Sequence, residues 1–201
     1  MLDRPDGLRE RKKARTRASI REHALRLFRE QGYQATTVEQ IAAAAEVSPS
    51  TFFRYFPTKE DVVLQDDMDT RMIEALEQQP PGLGPLGAVR AATRQVLASY
   101  TAADLAVLRE TTRLTMIVPE VRARALDEFA RTIEVVAEAV AKRAGRPADD
   151  LAVRTMAGAI VGVIMSITLP WEGWSDDRQT IEDSFQRIDQ GLALLEAGLP
   201  L

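Results

Sequence analysis

The chain has 201 residues, of which 45% are hydrophobic and 28% are charged, and it contains no cysteine. This composition is ordinary for a soluble globular protein, and the lack of cysteine excludes disulfide scaffolds, thiolate zinc sites and cysteine nucleophiles. The first residues are charged and contain no apolar run, so we expect no signal peptide and a cytoplasmic protein.

Charge is distributed unevenly along the chain, although the net charge is only −4. Residues 9–21 hold seven basic side chains and one acid, Glu10, which gives +6. Residues 1–60 carry 12 basic and 8 acidic side chains (+4), whereas the remainder carries 14 and 22 (−8). A basic segment joined to an acidic body is typical of a DNA-binding module attached to a second module. A solvated run of charge is the alternative interpretation.

The first helix is predicted from about Arg9 to Gln31, with Gly32 as its C-terminal cap. Its apolar stripe consists of Ile20, Ala24, Leu27 and Phe28. Because this stripe begins only at about Ile20, we expect Arg11–Arg17 to form a protruding, solvated start that can reach phosphates.

The segment Thr36–Lys59 predicts two short helices joined by a tight turn. Thr36 and Thr37 each stand three residues before a Glu or Gln, the capping-box pattern, so a second helix should run from about Thr37 to Ala45. This arrangement is a helix-turn-helix, in which the second helix of the pair can lie in the major groove of DNA.

A third helix is predicted from Pro49 to about Phe56. Ser48 can cap it, and Pro49 suits its first turn, where a missing N–H costs nothing. Pro57 should end it, since the residue before a proline avoids the helical region.

A fourth helix is predicted from Thr58 to about Gln79. The next segment, 80–87 (PPGLGPLG), has three prolines and three glycines and predicts a loop. The change in character comes before this loop, so we place the domain boundary at 60/61. The fourth helix would then join a DNA-binding domain, 1–60, to a larger helical domain, 61–201.

Beyond the loop the sequence predicts five more helices and no sheet, which gives an all-α protein of about nine helices. Their expected bounds are Ala88–Thr101, Ala103–Ile117, Pro119–Ala144, Asp149 or Asp150 to Leu169, and Asp177–Ala197.

The head of the chain also resembles a known family. The motifs are FREQGY (28–33), ATTV (35–38), IA (41–42), VS (47–48), TFFRYF (51–56) and KE (59–60). Together they resemble the N-terminal domain of TetR-family regulators, over roughly residues 9–64. The resemblance implies a three-helix DNA-binding head and a larger helical domain that binds a small ligand and dimerises. Such proteins usually repress transcription until an inducer releases them.

Two positions depart from the common pattern of that family. Pro49 stands where a lysine is frequent, and Phe53 stands where a tyrosine is frequent. The first change removes a possible phosphate contact, and the second removes a hydroxyl donor. Both concern single contacts rather than the fold.

Nine side chains are candidate DNA contacts, divided between the phosphate backbone and the base edges. Those suited to phosphate are Lys59, Tyr55, Thr37, Arg15 and Arg17, of which the two arginines could also reach the minor groove. Those suited to the major groove are Ser48, Ser50, Thr51 and Arg54. Arg54 is included because a guanidinium can bind guanine bidentately. For the hydroxyls, plain helix capping is the alternative interpretation.

Nothing in the sequence indicates catalysis, a cofactor or a metal site. His23 is the only histidine, and no set of carboxylates is arranged around it. No Ser–His–Asp spacing, phosphate-binding glycine loop or convergent carboxylate pair is present. We therefore expect no enzyme, although a helical enzyme with an incidental basic N-terminus and a non-specific architectural protein stay open as alternatives.

The segment Thr155–Leu169 is apolar on all sides, which predicts burial in a large core or an interface. It is about 15 residues long, short of the roughly 20 that a membrane span needs. We expect it and the last helix to pack against their copies in a second subunit as a four-helix bundle. The predicted interface residues are Gly158, Gly162, Ile181, Phe185, Ile188 and Leu192. A twofold dimer would present two recognition helices to a pseudo-palindromic operator.

The resemblance to TetR-family regulators implies an apolar ligand chamber among the middle helices. Its candidate lining is Met72, Leu97, Tyr100, Leu108, Met116, Phe129, Ile133, Met165, Trp171 and Trp174. The stretch 109–124 resembles, more loosely, the C-terminal domain of mycofactocin-type regulators, a group associated with acyl-coenzyme A-like ligands. In that case the cluster of Arg109, Arg113, Arg122 and Arg124 would suit a phosphorylated or carboxylate ligand. Plain core packing and surface ion pairing are the alternatives.

These observations predict a homodimeric transcriptional regulator on double-stranded operator DNA. A repressor released by a small, largely apolar effector is the leading hypothesis, and a ligand-responsive activator is the alternative.

Overall fold

The computed structural model describes residues 5–65, 68–168 and 181–200, and every regular element within them is an α-helix. The ten helices are α1 (Pro5–Gln31), α2 (Val38–Ala44), α3 (Pro49–Tyr55), α4 (Lys59–Leu64), α5 (Met68–Glu77), α6 (Pro85–Ser99), α7 (Ala102–Ile117), α8 (Pro119–Ala144), α9 (Leu151–Thr168) and α10 (Ile181–Glu196). The predicted all-α fold is confirmed. We refer to α1–α4 as the head and to α5–α10 as the body.

The head is a small bundle closed around aromatic and aliphatic side chains from all four of its helices. Its fully buried members include Ile20, Ala24, Ile41, Phe52, Phe56 and Val62. Gly32 ends α1 with a φ of 87°, and its N–H donates to the carbonyl of Phe28 at 3.0 Å. The chain then turns back, so that the ring of Tyr33 packs 4.9 Å from the ring of Phe28. The predicted glycine cap is therefore the observed one.

The predicted fourth helix, Thr58–Gln79, is two helices in the structure. Gln65 has extended torsions (φ −82°, ψ 105°), which end α4 at Leu64 before α5 begins. No proline or glycine lies at this break, so we attribute it to the tertiary packing of the two helices. Val62 and Val63 of α4 are at most 1% exposed within the head core, whereas α5 packs on α6 of the body.

The body is centred on α8, which packs along α9 and also contacts α7, α6 and α4. A second core between α6, α8, α9 and α10 contains Ala157, Ile160 and Leu192, each at most 1% exposed. Gly191 makes this packing possible, because a Cβ there would lie 2.7 Å from Cγ1 of Val163. The missing side chain lets α10 approach α9 closely.

Helix ends in the body follow local chemistry. Gly145, with a φ of 63°, closes α8 as expected. α6 begins at Pro85, inside the segment that was predicted as a loop. The reason is that proline suits the first helical position, where Gly84 precedes it as the N-cap.

The head and body share one core at α4. Leu114 and Val118, together with Val121 at the start of α8, join the buried cluster of the head. Alongside them Asp61 of α4 is fully buried and forms an ion pair with Arg124 of α8 at 3.0 Å. We call this contact region the head–body joint.

Candidate nucleic-acid interface

Helix α3 is built so that one side enters the head core. Ser48 caps it, because its Oγ accepts the N–H of Thr51 at 3.1 Å, and Pro49 fills the first helical position. Phe52 and Phe56, four residues apart, are both 0% exposed. The opposite side of the helix is consequently held toward solvent.

That solvent side carries Ser50, Phe53 and Arg54, spaced by three and four residues, and we call it the α3 open face. Phe53 is 50% exposed, with its ring edge-on to Phe52 at 5.4 Å. The Arg54 guanidinium lies 5.4 Å from the ring centre of half-buried Tyr55 and makes no hydrogen bond to another described residue. Phe53 is not among the nine predicted DNA contacts, although helical spacing places it on the same side of α3 as Ser50 and Arg54.

The hydroxyls at the start of α3 form a small cluster. Ser48 Oγ lies 2.9 Å from Ser50 Oγ and 2.9 Å from Thr51 Oγ1, while also capping the helix. The capping interpretation therefore holds for Ser48. Ser50 remains exposed and Thr51 half-buried, each with further hydrogen-bonding capacity for a base edge or a phosphate.

Lys59 is drawn inward rather than extended into solvent. Its Nζ donates to the carbonyls of Tyr33 and Thr36, both at 3.0 Å, and lies 4.0 Å from the centre of the Tyr33 ring. One of its three N–H donors is left for an outside acceptor. Thr37 begins α2 through a full capping box with Gln40, so the second of the two predicted boxes is the one that forms.

A short hydrogen bond fixes the side of the head that faces the body. The hydroxyl of buried Tyr33 donates to Oε1 of Glu60 at 2.6 Å. Burial and the neighbouring carboxylate raise the pKa of Tyr33 far above its ordinary range. Burial alone would raise the pKa of Glu60, but the Tyr33 hydrogen bond and backbone donors outweigh it and lower that pKa.

The middle of α1 lies beside the residue that follows α3. Arg17 donates to Oε1 of Gln65 at 3.0 Å and stacks 5.3 Å from the ring centre of Phe56. Arg15, one half-turn earlier, is exposed. Arg17 therefore holds the head together, whereas Arg15 is open to a partner.

Some of the predicted chamber residues come together inside the body. Met72 and Tyr100 pack on a buried cluster of α5 and α6. The Tyr100 ring stands edge-on to that of Phe185 at 6.5 Å and carries the Arg71 guanidinium at 5.0 Å. Phe185 was predicted at the subunit interface, and it lies instead against Tyr100 because α10 turns this side toward α6.

The other predicted chamber residues are dispersed. Leu97, Leu108, Phe129, Ile133 and Met165 are half-buried, and Ile133 belongs to the second core. Met116 is 38% exposed. Trp171 and Trp174 lie outside the described residues.

The four arginines of 109–124 do not converge. Arg109 pairs with Glu182 of α10 at 3.1 Å, and Arg124 belongs to the head–body joint. Arg122 donates to the carbonyl of Met116 at 3.4 Å, while Arg113 is exposed. Although the four arginines are close in sequence, they lie on two different helices, α7 and α8, and they do not form a single site.

Helix α9 leaves an apolar side uncovered. Of the described helices it is the one long and apolar enough to cross a membrane by length and composition, with mean hydropathy 1.8, yet only 22% of it is buried in the single chain. Gly158 and Gly162 have open space where a Cβ would stand. Helices of water-soluble proteins that pack in a core or an interface have the same composition.

Three of the predicted interface residues face inward instead. Ile181, Ile188 and Leu192 are 7%, 8% and 0% exposed within their own chain. The apolar stripe of α10 is used against α6 and α9, which explains why a pattern typical of an interface serves the core here. Gly158 and Gly162 are the predicted positions that stay uncovered.

Three polar atoms in the described part are buried without a hydrogen-bond partner, namely Nδ1 of His23, Oε1 of Glu110 and Oδ1 of Asp61, and the last of these is the atom that forms the ion pair with Arg124. Across the described residues, no three His, Asp or Glu side chains are grouped in a way that could hold a metal ion.

Comparison with known proteins gives two family matches. Residues 20–65 match bacterial regulatory proteins of the tetR family, and residues 83–200 match the MftR C-terminal domain. Over 164 residues the chain is 28% identical to a Mycobacterium tuberculosis protein named as the mycofactocin biosynthesis regulator MftR, covering 80% of this chain and 82% of that protein. It is 52% identical over 93 residues to the transcriptional regulator TcmR of Streptomyces glaucescens, which is 45% of this chain and 41% of TcmR. The match thus spans less than half of TcmR.

Solved structures agree with these matches. Thermus thermophilus FadR, a TetR-family repressor crystallised with lauroyl-CoA, is 29% identical with a TM-score of 0.56, covering 92% of this chain and 95% of FadR. A TetR-family regulator from Syntrophomonas wolfei shares the fold with a TM-score of 0.63 at 20% identity, covering 94% and 98% of the two chains.

Members of this family bind operator DNA and small-molecule effectors, and they are transcription factors rather than enzymes. The match to the MftR C-terminal domain alone extends over more than half of the chain, from residue 83 to 200, and the tetR match covers the helix-turn-helix. The chain therefore belongs to the TetR family of bacterial transcriptional regulators.

Proposed function

We propose that the protein is a cytoplasmic, homodimeric repressor that binds a pseudo-palindromic operator through α3 and is released by an acyl-thioester or a similarly apolar effector. The observation that carries the proposal is the α3 open face, a set of polar, aromatic and cationic side chains on a helix anchored by Phe52 and Phe56. Residues 1–60 are the DNA-binding domain, and residues 61–201, which begin within α4, bind the effector and the second subunit.

The DNA contacts divide by position on the head. Arg54 reads a guanine through its free guanidinium, and Ser50 and Phe53 meet neighbouring base edges, with the ring of Phe53 suited to a thymine methyl group. The phosphate contacts are Arg15, Arg17, Thr37, Tyr55 and the remaining donor of Lys59, with Ser48 and Thr51 at the helix start.

Dimerisation uses the uncovered side of α9. Leu151, Thr155, Gly162 and Ser166 are spaced by four, seven and four residues, so they share one side of α9. All four are exposed, and Leu151 is 81% exposed. Beside them an open groove of about 650 Å³ is lined by Leu86, Met156, Ala159 and Leu195 among others. A second copy of the chain is the occupant that fits, because a twofold axis along α9 brings two small-residue faces together and sets two α3 helices on one side.

The effector chamber lies around the Tyr100–Phe185 ring pair, with Met72 as an apolar wall. An acyl chain suits such a surface. Support for a thioester comes from FadR, which is 29% identical and was crystallised with lauroyl-CoA. Exposed Arg113 and the Arg109–Glu182 pair supply cations for a phosphorylated headgroup.

Release from DNA runs through the head–body joint. Asp61 on α4 is buried against Arg124 on α8, and Gln34 of the head donates to Glu120 of α8 at 3.1 Å. A rotation of α8 on effector binding would therefore turn the head. The effector must bind more tightly to the conformation of the dimer in which the spacing of the two α3 helices no longer matches the operator.

The decisive experiment measures binding to duplexes selected from the promoter region of the protein's own gene, by fluorescence anisotropy over a series of salt concentrations. We expect a specific complex that weakens steeply with salt. Arg54→Ala should weaken it by roughly 10- to 100-fold, about 1–3 kcal/mol, and relax the preference at one base pair. Equal affinity for scrambled duplex would favour an architectural protein and overturn the proposal.

The effector is tested on the same complex with lauroyl-CoA, free laurate and coenzyme A as separate probes. Lauroyl-CoA should release the operator, while coenzyme A alone should not. Tyr100→Ala should weaken the release and leave operator affinity in the absence of effector unchanged. Tighter operator binding with lauroyl-CoA would identify an activator or corepressed regulator instead.

A further inference from the structure

Helix α1 extends well beyond the core that it serves. From residue 9 onward, where side-chain burial is described, its first fully buried residue is Ile20, yet the helix is continuous from Pro5. Each of residues 9–15 is exposed, and we call this stretch the α1 extension. Seven helical residues are about 10 Å long, so roughly two turns project from the head.

The α1 extension is strongly basic on every side. It contains five cations and one acid, Glu10, a net +4. The cations are Arg9, Arg11, Lys12, Lys13 and Arg15. Arg9 and Lys13 share one side of the helix by their four-residue spacing, and Arg11 and Arg15 share another. Like charges at this spacing destabilise a helix slightly, so the cluster has a local cost that a polyanion would offset.

The place where the α1 extension leaves the head is set by Arg17. Its guanidinium contacts Phe56 directly after the end of α3 and Gln65 directly after the end of α4. A helix that lies in a major groove has the phosphodiester strands on both of its flanks. The extension therefore starts beside the strand that borders the groove, pointing away from the head core.

We propose that the α1 extension is a second DNA surface, which contacts phosphates of the duplex flanking each operator half-site. The inference rests on the proposed function and adds to it phosphate contacts that lie outside the operator half-sites. A duplex carries one phosphate charge per about 1.7 Å, so about six phosphates lie within the length of the extension. The charge of the extension suits DNA and an anionic membrane alike, but its described side chains form no apolar face that could enter a membrane, and this favours DNA.

The test compares two duplexes, the bare operator and the operator with ten further base pairs of arbitrary sequence on each side. Dissociation constants are measured by anisotropy across a salt series for the full chain and for the variant R9Q/K12Q/K13Q. The variant removes three positive charges from each chain and therefore six from the dimer. Each phosphate that the protein neutralises contributes about 0.9 to the slope of log K against log salt. We expect the wild-type slope to be steeper on the flanked duplex by several units and the variant to lose most of that difference.

A matched control is R26Q/R29Q, two exposed arginines toward the other end of the same helix. It should retain the flank dependence, and circular dichroism should show unchanged helicity in both variants. Scrambling the flanks should change nothing. Equal wild-type slopes on both duplexes would overturn the inference while leaving specific binding intact, whereas failure of the proposed function would appear as no specific complex on either. Binding of the wild type to phosphatidylglycerol vesicles without flank dependence would assign the extension to membranes and also overturn it.

Discussion

The head and the body place their functional residues in different ways. In the head, the α3 open face comes from one seven-residue helix, so its members follow from helical spacing once the buried side is known. In the body, the ring pair of Tyr100 and Phe185 brings together α6 and α10, which are far apart in sequence. A site on one helix can be predicted from the helical periodicity of the sequence. A site between helices depends on which apolar sides of those helices pack together.

The largest expected effect separates the two sides of α3. Phe52→Ala removes a fully buried ring and should destabilise the head by about 3–5 kcal/mol. Phe53→Ala, one residue on, should change stability by less than about 0.5 kcal/mol, because its side chain is half exposed, but should weaken operator binding. Denaturant unfolding and operator titration measure the two effects. Equal destabilisation by both substitutions would contradict the assigned orientation of α3.

The second prediction concerns the head–body joint. Asp61→Asn removes the buried anion of the pair and leaves Arg124 with only the more distant carboxylate of Glu128, at 3.7 Å. We expect a loss of about 2 kcal/mol, below the value for complete burial because Glu128 remains and Arg124 is 18% exposed. The double variant D61N/R124M should recover much of that stability. If the joint transmits the effector signal, D61N should bind operator but respond weakly to lauroyl-CoA. A full response in D61N would show that the signal travels by another route.

The third prediction distinguishes the two kinds of glycine in the body. Gly191→Ala should cost about 1–3 kcal/mol, since the new Cβ would lie 2.7 Å from Cγ1 of Val163, whose branched side chain turns with difficulty. Gly162→Ala has open space and should preserve or raise the stability of the single chain. Sedimentation should show a weaker dimer for Gly162→Ala, because a second helix could no longer approach as closely. An unchanged dimer would place the interface elsewhere.

The smallest expected effect is a pH dependence in the head. The pKa of Glu60 is lowered in the folded chain, so its contribution to stability is present above its unfolded pKa and is lost as the pH falls through the folded value. Tyr33→Phe removes the hydrogen bond and should flatten this acid-side decline. Since Glu60 is half-buried, solvent screening should keep the change under about 1 kcal/mol. Unfolding curves between about pH 3 and 7 measure it, and parallel curves for both proteins would contradict the assignment.

Much of the head could be predicted because its signals are local. Ser48 with Pro49, Thr37 with Gln40 and the glycine after α1 define helix ends through bonds to their own neighbours. The inward turn of Lys59 could not be predicted, because its acceptors belong to Tyr33 and Thr36, more than twenty residues earlier.

In the body, the sequence by itself determined an all-α chain, the bounds of α8 from Pro119 to Ala144, and an apolar α9. Only the tertiary structure decided that α4 and α5 separate at Gln65 and that Leu192 packs inside its own chain. The physical reason is that helix formation and capping depend on neighbours within about four residues. The choice of which apolar stripe faces its own chain, and which stays open for a partner, depends on contacts between helices far apart in sequence.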